Sequence, residues 1–275
     1  MGPFPHDAPP PAISADNPAG TDGFEFVEFA HPEPEKLAEL FGRMGYAPVA
    51  RHRTKDITIW RQGDINYVLN AEAGSHAMRF VGEHGPCAPS MAWRVVDAKH
   101  AFEHAVSNGA EAYTGNDKSL DVPAIVGIGG SLLYFVEVYG EKGSAYDAEF
   151  EWLRERDPKP AGVGFYYLDH LTHNVYRGNM DKWWAFYREL FNFKQIHFFD
   201  IDGRITGLVS RAITSPCGKI SHPTERIEGR HQPDRGISDE VQRRRHTAHR
   251  GRYRGDLRCD RQTRGKRSEV HAGTA

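Results

Sequence analysis

Residues 168–193 read LDHLTHNVYRGNMDKWWAFYRELFNF. Two periods meet in this stretch. Its opening, inside FYYLDHLTHNVY, has the aromatic and β-branched content of a strand. In NMDKWWAFYRELFNF, Trp184, Tyr187, Leu190 and Phe191 recur at helical spacing and mark one apolar face. FKQIHFFDI and GRITGLVSRAI follow as two strands, and a further strand begins at Gly218-Lys219-Ile220. The unit reads β-α-β-β-β.

The same unit occurs twice before it. TDGFEFVEF is a strand, and HPEPEKLAELFGRMG is a helix with Leu37, Leu40, Phe41 and Met44 on one face and Gly45 at its end. YAPVARH, DITIWRQG and INYVLNAE complete that module. SMAWRVV then opens a second, Asp97 caps the helix AKHAFEHAVSNG, and AEAYTG, VPAIVGIGG and SLLYFVEVYG follow. The spacing predicts a disordered leader over 1–21, a two-module domain over 22–145 and a connector over 146–163. It predicts the first module of a second domain over 164–220 and a separate basic tail over 221–275. Each module needs a partner to bury its sheet, so the second domain is incomplete.

Composition separates the tail from the rest. The chain has 275 residues and a formal net charge of -2. From residue 221 onward there are 14 Lys+Arg against 8 Asp+Glu, whereas the first 220 residues carry 21 against 29. Of those 14 basic residues 13 are Arg, and only Ile227, Ile237, Val241, Leu257 and Val270 are aliphatic. Such a segment buries too little apolar surface to offset the entropy of ordering it, and is expected to be disordered. Cys87, Cys217 and Cys259 are scattered and odd in number, which argues against a disulfide scaffold and suits a reducing cytosol. No apolar run approaches the ~20 residues that span a bilayer. A tail binding nucleic acid is a competing class of function, but Tyr253 is its one aromatic residue and no groove-reading motif is present.

Repeated β-α-β-β-β modules that pair into open half-barrels describe the vicinal-oxygen-chelate fold, an α+β architecture. Residues 168–193 closely resemble the opening of the catalytic domain of 4-hydroxyphenylpyruvate dioxygenases. GRITGLVSRAITSPCGKI, and GFEFVEFAHPEP with LFGRMGYAPVARHR, are similar to other stretches of the bacterial members. The resemblance covers about residues 22–220. It implies a non-haem Fe(II) enzyme that uses O2 to convert 4-hydroxyphenylpyruvate to homogentisate and CO2 in tyrosine breakdown. It also implies a cytoplasmic dimer or tetramer with no nucleic-acid or membrane partner. A 4-hydroxymandelate synthase, with the same substrate, iron and fold, is the alternative outcome.

Iron in this family needs two His and one carboxylate on one face, leaving positions open for the 2-oxo acid and O2. A lone strand histidine is more often structural, but its motif matches His170 to the first ligand. His173, three residues on, faces the other way on a strand and is read as structural. Ser210 resembles a serine lining the substrate pocket, with a backbone-bonded strand serine equally in play. Asp169 is read as a strand-edge carboxylate in preference to a group that supports a ligating His170. The family's Gly-Ile-Gln-His strand and late Glu are not in this chain, and His246 and His249 stand in RRRHTAHR, unlike a buried strand. In the N-terminal repeat Glu137 stands where a third ligand could, with Glu28 and Ala92 at the two His positions. That half is expected to be a metal-free structural copy.

The tail has a reading in the genetic code. SHPTE can be encoded by TCG CAT CCC ACT GAA, which one base later gives Arg-Ile-Pro-Leu-Asn, the strand the family has there. Residues 245–250 can be encoded by CGG CAT ACA GCA CAT CGC, which shifted the same way gives Gly-Ile-Gln-His-Ile. GKRSEVHAGTA likewise gives Ala-Asn-Gly-Arg-Arg-Phe-Met-Pro-Ala-Pro. The resemblance therefore predicts a frame shift near Ile220 and a truncation at Ala275. With one iron ligand of three, the chain as translated is expected to be inactive, poorly soluble and unable to retain iron.

Overall fold

The computed structural model describes residues 11–153, 157–201 and 206–229. The first module is β1 (Thr21–Ala30), α1 (Pro34–Arg43), β2 (Ala47–His52), β3 (Ile57–Gln62) and β4 (Ile65–Asn70). A linking helix α2 (His76–His84) precedes the second module: β5 (Cys87–Val95), α3 (Ala98–Ser107), β6 (Ala124–Val126) and β7 (Leu132–Val136). After β8 (Phe150–Trp152) come β9 (His173–Asn174), α4 (Met180–Phe191), β10 (Lys194–Ile201), β11 (Thr206–Thr214) and β12 (Ser221–Gly229). Strands order as β6-β7-β5-β1-β4-β3-β2-β8 in one sheet and β10-β11-β12-β9 in the other.

One rule builds all three modules. The first strand of each pairs in parallel with its last: β1 with β4, β5 with β7, and β9 with β12. The antiparallel β1–β5 pair joins the first two modules. β1 is thus flanked on both sides, and eight of its ten residues are buried. This is the fold of paired β-α-β-β-β modules that the repeats predict. Among the described residues, β9 has β12 as its only ladder neighbour and no fourth module is present.

The two sheets share one core. Trp93 of β5 is fully buried, with Phe191 edge-on at 4.9 Å and Phe193 stacked at 5.4 Å. Phe135, Tyr187, Leu190, Ile213 and Ile220 complete the cluster. Each aromatic pair adds about 0.5–1.5 kcal/mol beyond area burial. The helix α4 ends at Asn192, which takes the left-handed conformation (φ 55) and turns the chain into β10. Gly45 (φ +87) ends α1 where the connector passes, and a Cβ there would lie 2.9 Å from the Val163 nitrogen.

Several expectations need correction. The leader is ordered from residue 11: the Asn17 side chain bonds both Thr21 backbone groups, and Ala19 is fully buried. Helix α2 lies in a stretch the module pattern left unassigned; Ser75 caps it, and Ala77 and Val81 pack beside Ala30 and Cys87. The connector contributes β8, because Phe150 sinks into the first domain's core. AEAYTG forms only an isolated bridge, Ala112 to Ile125. FYYLDHLTHNVY keeps only two strand residues, since Phe165 and Leu168 turn instead into the first domain's core. The module also does not end at Ile220, for β12 pairs with β11 over nine residue pairs to Gly229. The expectations for residues 1–10 and 230–275, which include His246, His249 and Cys259, lie outside the described residues.

Candidate active site

His170 sits in the run from Leu168 into β9. Leu168 and Leu171 on either side pack against the first domain's clusters, which fixes the backbone between them. The His170 side chain is 16% exposed, and its Nδ1 lies 2.6 Å from Asp169 Oδ2. Asp169 therefore orients the ring, rather than only marking a strand edge, and a metal would be met by Nε2. The His173 Nε2 meets the Tyr187 hydroxyl at 3.1 Å, and burial pushes its pKa down to about 4. Its ring packs 4.8 Å from that of His222.

His222 is the residue that sequence reasoning passed over. It is fully buried on β12, within a ring of Phe24, Trp93, Tyr187 and Phe193. Its Nδ1 donates to the Leu171 carbonyl at 3.0 Å, and its Nε2 has no hydrogen-bond partner. Burial holds its pKa well below the ordinary value, so the ring is neutral. Ser210 is buried on β11, in register with Phe199 of β10 and Glu225 of β12. Glu225 in turn pairs with Asn174, so Ser210 stands two strands away from the run that holds His170.

The N-terminal domain holds a buried polar cluster around Glu28. Glu28 is buried, accepts from Asn70 Nδ2 at 2.7 Å, and is bonded by the Ser90 hydroxyl. Burial raises its pKa despite these bonds. The residue facing it is Ser90, and Ala92 pairs with Phe26. β-bulges in β1–β5 shift this register. Glu137 is turned away and accepts the Ala98 N–H at 2.7 Å, at the start of α3. No group of three His, Cys, Asp or Glu side chains that could hold a metal exists among the described residues.

A cavity of about 270 Å³ lies between β1, the 166–168 segment and Lys219. Neither His170 nor Ser210 lines it. Four of its charges pair internally: Lys219 with Asp22 at 2.6 Å, and Arg94 with Glu25 at 2.6 Å. The Tyr139 hydroxyl donates to Asp22 at 2.7 Å, and Asn66 donates to the Glu25 backbone carbonyl at 2.9 Å. The fifth charged group of the lining, Asp64, pairs with Lys159 outside it at 2.7 Å.

Comparison with known proteins bears on this arrangement. Residues 15–151 match the family profile described as hydroxyphenylpyruvate dioxygenase, N-terminal. A protein named hemolysin VllY from Vibrio vulnificus is 51% identical over 218 residues, covering 77% of this chain and 61% of its own. The 4-hydroxyphenylpyruvate dioxygenase of Pseudomonas aeruginosa is 48% identical, covering 77% and 60%. Among solved structures, a fusion of a xylose isomerase-like TIM barrel with a 4-hydroxyphenylpyruvate dioxygenase superposes with TM-score 0.67 at 30% identity, covering 86% of this chain and 35% of that one. A 4-hydroxymandelate synthase variant from Streptomyces coelicolor shares the fold, with TM-score 0.64 at 17% identity, covering 78% and 65%. The chain spans about three fifths of the length of the first two relatives. Residues 15–151 therefore belong to the N-terminal domain family of the hydroxyphenylpyruvate dioxygenases.

Proposed function

We propose that this chain is the N-terminal domain and first catalytic module of a 4-hydroxyphenylpyruvate dioxygenase, and that as translated it does not turn over. The parent reaction is the Fe(II)-dependent conversion of 4-hydroxyphenylpyruvate and O2 to homogentisate and CO2, a cytoplasmic step of tyrosine breakdown carried out by an oligomer. The observation behind the inactive reading is the donor set. His170 is the ligand candidate of its module, and no metal-holding group of three side chains lies among the described residues. A facial triad needs two more protein donors. Ser210 is the proposed substrate-pocket residue of the same module. The polar N-terminal cluster, with Glu137 engaged at α3, does the work of holding the structure.

These residues do not fit the family's iron, so no catalytic step is derived through it. The test is direct. Purified chain is supplied with Fe(II), ascorbate, 4-hydroxyphenylpyruvate and O2, and homogentisate is followed by chromatography. No product above the protein-free control is expected. Stoichiometric or faster homogentisate formation would overturn the reading. No described helix is long and apolar enough to cross a membrane.

A further inference from the structure

The inward face of β12 breaks its own pattern. Ile220, His222 and Thr224 alternate onto one face and are 0%, 0% and 1% exposed. Their neighbours Ser221, Pro223 and Glu225 are only half-buried. Ile220 belongs to the shared core, and so does Ile213, which pairs across from His222. A strand face buried in such a core calls for apolar side chains at all three places. Instead His222 Nε2 and Thr224 Oγ1 are both buried without a hydrogen-bond partner. Each is a buried polar atom of the kind native proteins avoid. The apolar pattern holds through Ile220 and fails at the next inward position.

The genetic code limits what neighbouring frames could place there. His is CAY, Pro CCN, Thr ACN and Glu GAR. Reading one base later, the codon at position 222 is AYC, which is Ile or Thr. The codon at position 224 is CNG, which is Leu, Pro, Gln or Arg. Reading one base earlier gives NCA at 222, for Ser, Pro, Thr or Ala, and NAC at 224, for Tyr, His, Asn or Asp. Only the later frame offers aliphatic residues at both buried positions. The Arg-rich composition from residue 221 agrees: CGN codons shifted one base later become GNN codons for Val, Ala, Asp, Glu and Gly.

We propose that one extra base lies between the codons of Ile220 and His222, and that the strand was built for Ile and Leu at positions 222 and 224. Of the family's two later iron donors, the histidine of its Gly-Ile-Gln-His strand is then the one that residues 245–250 can encode in the shifted frame. The extra base rests on the burial of two side chains and not on the proposed activity, so either can fail without the other.

Sequencing the gene tests it. Only CAT at codon 222 yields Ile in the later frame, and only ACT at codon 224 yields Leu. CAC at the first, or ACC, ACA or ACG at the second, overturns the proposal. A second test uses the full chain with His222→Ile and Thr224→Leu together. Removing two buried unpartnered polar groups is expected to raise Tm by about 4 °C or more. The control pair His222→Ala with Thr224→Asn, drawn from the earlier frame, is expected to leave Tm unchanged or lower it. An unchanged or lowered Tm in the Ile/Leu variant overturns the proposal.

Discussion

Lys219→Met tests how the second sheet is fastened to the first. Lys219 stands on the β11–β12 connection and Asp22 on β1, with Nζ and Oδ1 2.6 Å apart and side chains 9% and 4% exposed. Methionine keeps the apolar stem and deletes the ammonium. The carboxylate left behind retains the Tyr139 hydroxyl at 2.7 Å, with the Arg94 guanidinium over the Tyr139 ring at 5.4 Å. Removing one member of a buried ion pair costs about 3–5 kcal/mol, because the other charge stays desolvated. The remaining donor and the nearby guanidinium place the loss at about 3 kcal/mol. Replacing both charges, Asp22→Asn with Lys219→Met, leaves no buried charge and is expected to fall within about 1 kcal/mol of the parent. Urea titration followed by tryptophan fluorescence measures all three, with the four-corner cycle giving the coupling. A loss under about 1 kcal/mol in the single variant, or a double variant weaker than the single, would refute the argument.

Other consequences follow from the buried groups. Glu28 has its pKa raised above the ordinary 4.5 by burial, so the stability it lends is full below that pH and is lost as pH rises through its folded value. Glu28→Gln should therefore gain on the parent as pH rises from 5 to 8, and a Tm gap that stays flat would count against this. His173 behaves oppositely: its pKa falls from 6.5 to about 4, so stability present above 6.5 is lost as pH falls toward 4. That loss is roughly 3 kcal/mol, and His173→Phe should remove it; a parent Tm that is level from pH 7 to 4.5 contradicts the assignment. Trp93→Ala should cost about 3–5 kcal/mol by denaturant titration, with a loss under ~1.5 showing that the two sheets do not share a core. Fe(II) titration of the parent and of His170→Ala should give the same weak affinity; a tenfold drop in the variant would mean that His170 already holds iron.

Much of this was legible in the chain, and the limits have physical causes. The switch from period two to period three and a half at Asn179 marks a module, and repetition made the paired architecture readable. The Leu168–Phe193 motif pointed to His170. Register was not legible: bulges along β1–β5 shift the pairing of the two strands, and no side-chain pattern announces a bulge. The length of β9 depends on where Leu168 and Leu171 find cover, which is tertiary information. The Asp22–Lys219 pair joins residues 197 apart, beyond any spacing rule. Helix α2 was readable from Ser75 and the terminal Gly85, but its single turn of buried residues was too short to stand out. His222 was read as part of a polar tail because composition averages over a window, whereas burial is decided residue by residue.

The aromatic knot around Trp93 also sets what a damaged gene can still make. The third module leans on the second through α4 and β12, and among the described residues its contacts in that knot come from residues before Gly229. Its foothold is a neighbour's hydrophobic face. A lesion downstream of that point strikes the chemistry first and the architecture second. A lesion at codon 221, by contrast, reaches the knot itself, because His222 packs against Trp93.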